Sequence, residues 1–165
     1  MKNYAFIVLA SLLLFGQSLF SHNELKFIKN GGQWPEQVNF MSKVEGGQIW
    51  LENNKISYQF VKYPNLHANF NSDEEPIVKQ HVIWANFKGA NTNYTLEQKD
   101  QSKEYYNYFI GKDESKWASR MHAYGDIHYK NLYDLTDLRV YEDHGHMKYD
   151  FILYPGAKNT IQIAY

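Results

Sequence analysis

The sequence contains no cysteine. Disulfides, thiol nucleophiles and cysteine-ligated zinc are therefore excluded, even in a compartment that would permit them. An excess of either charge is also missing: 17 Lys and Arg face 18 Asp and Glu, a net of −1 with histidine neutral. That balance gives no electrostatic case for nucleic acid or for an anionic membrane surface. After the first segment, no apolar run is long enough to cross a bilayer. There is no H-E-x-x-H and no internal repeat of fixed period. The length suits one domain.

The start of the chain has the layout of an export signal. Lys2 gives a positive lead, and an apolar run from Tyr4 to Phe15 follows, broken only by Ser11. Such a run is too short for a membrane span and right for a signal peptide. Small residues come next, at Gly16, Ser18 and Ser21. Residues 1–21 are read as a signal peptide, with cleavage after Ser18 or after Ser21. The apolar run is not followed by a cysteine, so lipid attachment there is excluded. The expected product is a secreted or cell-surface protein, residues 22–165, with no membrane span left and a net charge of −2 once Lys2 is gone.

The body of the chain reads as all-β. Fourteen Tyr, ten Phe and four Trp favour pleated surfaces. Ile56, Tyr58 and Phe60 alternate with Lys55, Ser57 and Gln59; Met147, Tyr149, Phe151 and Leu153 repeat the pattern against Lys148 and Asp150. Period two marks half-buried strands. Around Ile83, Ala85 and Phe87 the other face is apolar too, at Val82 and Trp84, which predicts a strand covered on both sides. Gly46-Gly47 and Asn53-Asn54 divide Val38–Lys62 into a three-strand meander, both pairs tolerating the positive φ that two-residue hairpins require. Asp137–Glu142 pairs with Met147–Tyr154 across a loop holding Gly145, and Pro155-Gly156 ends that strand. Asn30-Gly31-Gly32-Gln33 reads as a turn. Tyr63–Pro76 and Ala90–Ser102 read as irregular surface segments. Asp113–Arg120 reads as one helical turn capped by Asp113 or Ser115, with Trp117 as buried anchor. The expected architecture is an antiparallel β-sandwich-like domain. Its core is expected to hold Phe40, Ile49, Leu51, Ile56, Tyr58, Phe60, Phe87, Phe109, Trp117, Met147, Tyr149, Phe151 and Leu153.

Three constellations could carry chemistry. His144 and His146, two apart, could share a strand face and ligate a metal, with His122 and His128 upstream. Their setting beside Gly145 equally suits exposed loop histidines, and no cofactor is implied. Asp134, Asp137, Asp143 and Asp150 offer carboxylates, but a glycosidase needs two at a set separation. Asp150 is explained more simply by a cross-strand partner such as Arg139. Tyr105, Tyr106, Tyr108 and Phe109, with Trp117 close behind, could form an aromatic platform for sugars or an ordinary cross-strand ladder.

Four phrases in order carry a family resemblance: Phe27-Ile28-Lys29-Asn30-Gly31-Gly32-Gln33-Trp34-Pro35, Tyr106-Asn107-Tyr108-Phe109-Ile110-Gly111 with Ser115-Lys116-Trp117, Tyr129-Lys130-Asn131-Leu132-Tyr133, and Lys148-Tyr149-Asp150-Phe151-Ile152 with Pro155-Gly156-Ala157. From Phe27 to Tyr165 the chain resembles an uncharacterised domain at the N-terminus of large secreted bacterial proteins. The resemblance implies downstream partners within the same polypeptide: β-propeller repeats, PKD modules or a type IX secretion sorting domain. It implies no activity. Where the resembling sequences often have Pro-Gly after "N-L-Y", this chain has Asp134-Leu135, so the glycine of a tight turn is missing. The final strand, Thr160–Tyr165, carries no charge to protect an edge; with the resemblance this gives the expectation of a domain truncated at its C-terminal end. The functional expectation is a non-catalytic interaction or architectural module. Its outside partners would be surface glycans or other extracellular proteins. The alternatives are a carbohydrate-binding module and a hydrolase accessory domain.

Overall fold

The computed structural model describes residues 24–63, 77–157 and 161–165. The segment read as a signal peptide, residues 64–76 of the loop read at Tyr63–Pro76, and Thr160 lie outside the described residues.

Hairpin turns set the order of the strands. β1 (Phe27–Lys29) leads into β2 (Val38–Val44), β3 (Gly47–Glu52) and β4 (Lys55–Lys62), the expected meander. The β2–β3 turn is Glu45-Gly46, with Gly46 at φ +75°. Gly47 is required for a different reason, because a Cβ there would lie 1.9 Å from the Gln59 carbonyl oxygen of β4. Glycine is thus what lets the fourth strand close on the third. The Asn53-Asn54 turn departs from expectation, since neither asparagine has positive φ. Side chains hold it instead: Asn53 Oδ1 accepts from Tyr94 Oη at 3.0 Å and from Asn39 Nδ2 at 3.3 Å.

β5 (Lys79–Lys88) follows, then β6 (Thr95–Tyr108), which overturns the irregular reading of Ala90–Ser102. Its faces are mostly exposed, with only Leu96, Gln98, Ser102, Tyr106 and Tyr108 partly covered. No apolar alternation marks it; backbone pairing with the next strand makes it a strand. A 3-10 turn, Glu114–Lys116, comes next, and Asp113 caps it by accepting from the Ser115 amide at 3.1 Å. Then come β7 (Ala118–Tyr133), β8 (Thr136–Asp143), β9 (His146–Leu153) and β10 (Gln162–Ala164). His144 and Gly145, at φ +52° and +81°, make the β8–β9 turn. Both positive angles match the mirror-image turn that suits strand twist.

All pairing is antiparallel, in the order β10-β5-β4-β3-β2-β1-β7-β8-β9, with β6 also on β7. The register shows that β7 is a fork. Tyr124 pairs with Gln101 on one edge and Phe27 on the other; Tyr129 pairs with Leu96 and Leu138. β1 and β8 therefore share one edge of β7 in succession, and the sheet curls over at the change. Gly125 and Asp100 (φ +54°) sit opposite each other there, and a Cβ on Gly125 would come within 3.2 Å of Asp100 Cβ. The inward-facing residues change across this point although the β6–β7 register runs through it: Tyr124 packs on the core on one side, Ile127 and Tyr129 on the other.

The main core fills the curl. Phe27, Phe40, Ile49, Leu51, Ile56, Ala85 and Phe87 come from one arm, and Ile127, Leu132, Leu138 and Val140 from the other. Phe87 meets Phe151 edge-on at 5.9 Å. Of the expected core, Phe40, Ile49, Leu51, Ile56 and Phe87 are buried, and Tyr58, Met147, Tyr149 and Phe151 pack against it in part. Phe60, Phe109, Trp117 and Leu153 are 40–59% exposed. Phe60 and Leu153 keep the right parity but overrun the opposite arm; Phe109 and Trp117 stand on the β6–β7 connection. The β5 strand is covered on one face only, since Trp84 is 49% exposed.

Candidate functional site

The phrases that carry the resemblance fold into scaffold. Asn30 organises the turn after β1: Oδ1 accepts from the Gly32 and Trp34 amides, and Nδ2 donates to the Trp34, Pro35 and Val38 carbonyls. In Tyr129-Lys130-Asn131-Leu132-Tyr133, Tyr129 and Leu132 are core, Asn131 takes φ +59°, and Lys130 bonds Asp137. Asp137 also accepts from the Asn131 amide at 2.7 Å and the Tyr154 hydroxyl at 2.7 Å. Burial opposes its charge, but these bonds hold its carboxyl below the usual range. The turn is tight even though Asp134-Leu135 replaces Pro-Gly: Tyr133 pairs with Thr136, and Leu135 carries φ +52°.

The sequence-derived candidates do not converge. Adjacent strand residues face opposite ways, so Tyr105 is parted from Tyr106 and Tyr108. Tyr105, half exposed, lies under the Arg120 guanidinium at 5.7 Å. Tyr106 and Tyr108 pack on the outward side against Ile28, Met41 and Ala123. Trp117 stacks edge-on with Phe109 at 5.7 Å and donates to the Gly111 carbonyl at 3.3 Å. These aromatics, which in the sequence could be a platform or a cross-strand ladder, stand in three separate settings.

His144 is a turn residue, its Nδ1 2.8 Å from Asp143 Oδ1, and His146 faces the cleft described below. Among the described residues no three His, Asp or Glu side chains are grouped as metal ligands would be. His128 is buried, with Nε2 3.0 Å from Asp126 Oδ1. Asp150 lies opposite Arg139 in register, as expected, but the guanidinium takes Asp126 instead, through Nη2 at 2.8 Å and Nε at 3.0 Å, and stacks on Tyr141 at 4.1 Å. The Asp150 carboxylate lies near the Tyr141 hydroxyl and raises that phenol's pKa.

Two further features combine apolar or aromatic side chains with access to solvent. At one end of the curl the two hairpin tips leave an open cleft of about 460 Å³. Val44, Ile49, Tyr58, Met147 and Tyr149 line it, with Glu45 and His146 at the rim. Burial, then the proximity of Tyr149 and Tyr165, pushes the Tyr58 phenol up to about 12.

The second feature covers the outward face of the meander, away from the core. Ala123, Ile28, Met41, Trp50, Ser57 and Trp84 form one register row across β7, β1, β2, β3, β4 and β5. Directly paired residues share a face. Trp34 from the Asn30 turn folds over this row, edge-on to Trp50 at 5.5 Å and to Tyr108 at 5.1 Å. Trp50 Nε1 donates to Gln59 Oε1 at 3.0 Å, and Gln59 Nε2 donates to Gln80 Oε1 at 2.9 Å. On the other side Lys55 pairs with Glu52 at 3.3 Å, and Glu52 also accepts from Ser57. Ser57 is buried while Trp84 beside it is half exposed.

Sequence reading missed this row because Trp34, Trp50 and Trp84 are scattered in the chain. The apolar character of Trp84 opposite a core face was the one signal, and it pointed to a second buried side. No curated protein and no solved structure matches the chain. Residues 27–165 match a family model described as Domain of unknown function (DUF7948). The match spans most of the chain, every strand from β1 to β10 included, and the chain therefore belongs to the DUF7948 family.

Proposed function

We propose that this domain is a non-catalytic module of a secreted or cell-surface bacterial protein, and that it holds an interaction surface beside further domains of the same polypeptide. The observation that carries the reading is the outward row of Trp50 and Trp84, with Trp34 folded over it. These indoles lie on the far side of the sheet from the main core, and Trp84 leaves half its surface in water. Exposed aromatics gathered on one face mark interaction sites more often than scattered ones do. The Lys2-plus-apolar start supports an extracellular setting.

The test is retention. The protein is added to intact bacterial cells and washed, with the Trp84→Ala variant and a Trp117→Ala control alongside. Loss of retention in the first variant alone is expected. Equal retention of all three would refute the assignment of the surface. A carbohydrate ligand is the second reading, favoured by the amides that border the two tryptophans.

A further inference from the structure

We propose that the outward face of β3, β4 and β5 binds a linear, uncharged oligosaccharide between Trp50 and Trp84; this rests on the reading of the domain as an interaction module and names its ligand class. The first argument is geometric. Trp50, Ser57 and Trp84 are successive register partners. Strands lie about 4.8 Å apart, so the backbones that carry the two indoles stand about 10 Å from each other. Ser57, between them, is short and itself buried under its neighbours, so the two indoles are the raised parts of the row.

The second argument is pre-organisation. Trp50 is fixed by its bond to Gln59 and by the edge-on contact with Trp34. A side chain already held gives up little rotamer freedom on binding. The third is chemical. Pyranose rings offer flat C–H faces to aromatic rings and hydroxyls around their rims. The indoles match the faces, and Gln48, Gln59 and Gln80 set amide donors and acceptors along one side. On the other side Lys55 and Glu52 neutralise each other, and Ser57 occupies Glu52 further. Lys43 shares this face as the register partner of Gln48, but it stands on β2, beyond Trp50 from Trp84; the groups between the two indoles are uncharged or paired, and the complementary ligand is neutral.

An indole offers roughly 150–250 Å², and Trp50 and Trp84 are both partly covered. That open aromatic surface suits a ligand that stacks on two rings; a globular partner covering the roughly 800 Å² of a stable interface would have to use the polar remainder of the face as well.

The experiment is calorimetric titration of the full chain with cellohexaose, chitohexaose and mannohexaose, with a sulfated glycosaminoglycan as the charged comparison. Saturable binding of at least one neutral hexasaccharide is expected, with a shift in tryptophan fluorescence. Trp84→Ala should weaken it about tenfold or more, about the loss of one aromatic stacking contact. Trp84→Phe should largely retain it, and Trp117→Ala should leave it unchanged. Binding of the sulfated polymer alone, or neutral binding indifferent to Trp84→Ala, overturns the proposal. If no glycan binds while cell retention still depends on Trp84, the ligand class is wrong and the interaction surface stands. If neither depends on Trp84, both readings fall.

Discussion

Replacing Leu135 gives a direct test of the β7–β8 turn. Leu135 sits at φ +52° in the two residues joining Tyr133 to Thr136. A left-handed backbone costs a residue with a Cβ roughly 1–2 kcal/mol. Two truncations separate that strain from packing. Leu135→Ala removes the side chain but keeps the Cβ; Leu135→Gly removes both. Leu135 is about half exposed, so either variant loses about 1 kcal/mol of apolar burial. Glycine also costs about 0.4–1 kcal/mol through the freedom it gives the unfolded chain. Relief of strain outweighs that cost, and Leu135→Gly should be more stable than Leu135→Ala by about 0.5–1 kcal/mol. At an ordinary negative φ the order reverses, with alanine ahead. Urea denaturation followed by fluorescence reads the difference as a midpoint shift of about 0.5 M, for a slope near 1.5 kcal/mol/M. Alanine equal to or better than glycine, with unchanged slopes, would refute the turn as described.

Further outcomes follow from other positions. Leu138 is fully buried between the arms, so Leu138→Ala should cost about 2–5 kcal/mol in the same assay, whereas Leu153→Ala, at an exposed strand end, should cost under about 1 kcal/mol. Asp137 has a lowered folded pKa, so its contribution is complete above its unfolded value, near 3.9, and fades as pH falls through the folded one. Asp137→Asn should lower neutral-pH stability by about 2 kcal/mol and flatten the acid limb; an acid limb as steep as the parent's would count against the Lys130–Asp137–Tyr154 cluster. Tyr58 titrates at about 12, so stability is lost as pH rises from about 10 through that value, and Tyr58→Phe should remove one late phenol from the ultraviolet titration. Mass spectrometry of exported protein should place the N-terminus between Leu19 and Asn23, and recovery of intact Met1 would argue against cleavage.

Much of the fold was legible because short-range signals decide it. The meander and the β8–β9 hairpin are written in alternation and in Gly46 and Gly145, and their register follows. What failed to show in the sequence depends on long-range pairing. β6 carries no apolar alternation between Leu96 and Tyr106, and its strand character there comes from hydrogen bonds to β7, which no local pattern records. Phe60 and Leu153 alternate correctly, but whether such a residue is covered depends on how far the opposite arm reaches. Trp117 sits after a helical turn and looks like an anchor, yet the connection that carries it projects beyond the core. The candidate site was the least legible part. Its tryptophans are 16 and 34 residues apart, and only sheet register sets them side by side.

The fork in β7 explains why that outward face exists. In a sandwich of two separate sheets, each sheet turns one face inward and leaves the other to water. Here a single sheet bends over at Gly125 and Asp100 and supplies both sides of the main core itself. The meander thereby keeps a broad outward surface, continuous in hydrogen bonding from β1 to β5. Near the bend that surface is sealed by Trp34, Tyr106 and Tyr108 over Ile28, Met41 and Ala123, a second small cluster. The seal ends at Trp50. From there to Trp84 the bridging residue is a serine already bonded to Glu52, and among the described residues Trp84 keeps half its surface open. A purely architectural sheet would be expected to place polar residues where its cover stops. Trp84 stands there instead, with the Lys55 ammonium 6.0 Å from its ring centre. The aromatic row thus runs from a packed end, which fixes Trp50, to an open end at Trp84. A rigid ring held beside an uncovered one is the arrangement that a ligand can complete, and this joins the fold of the sheet to the proposed binding.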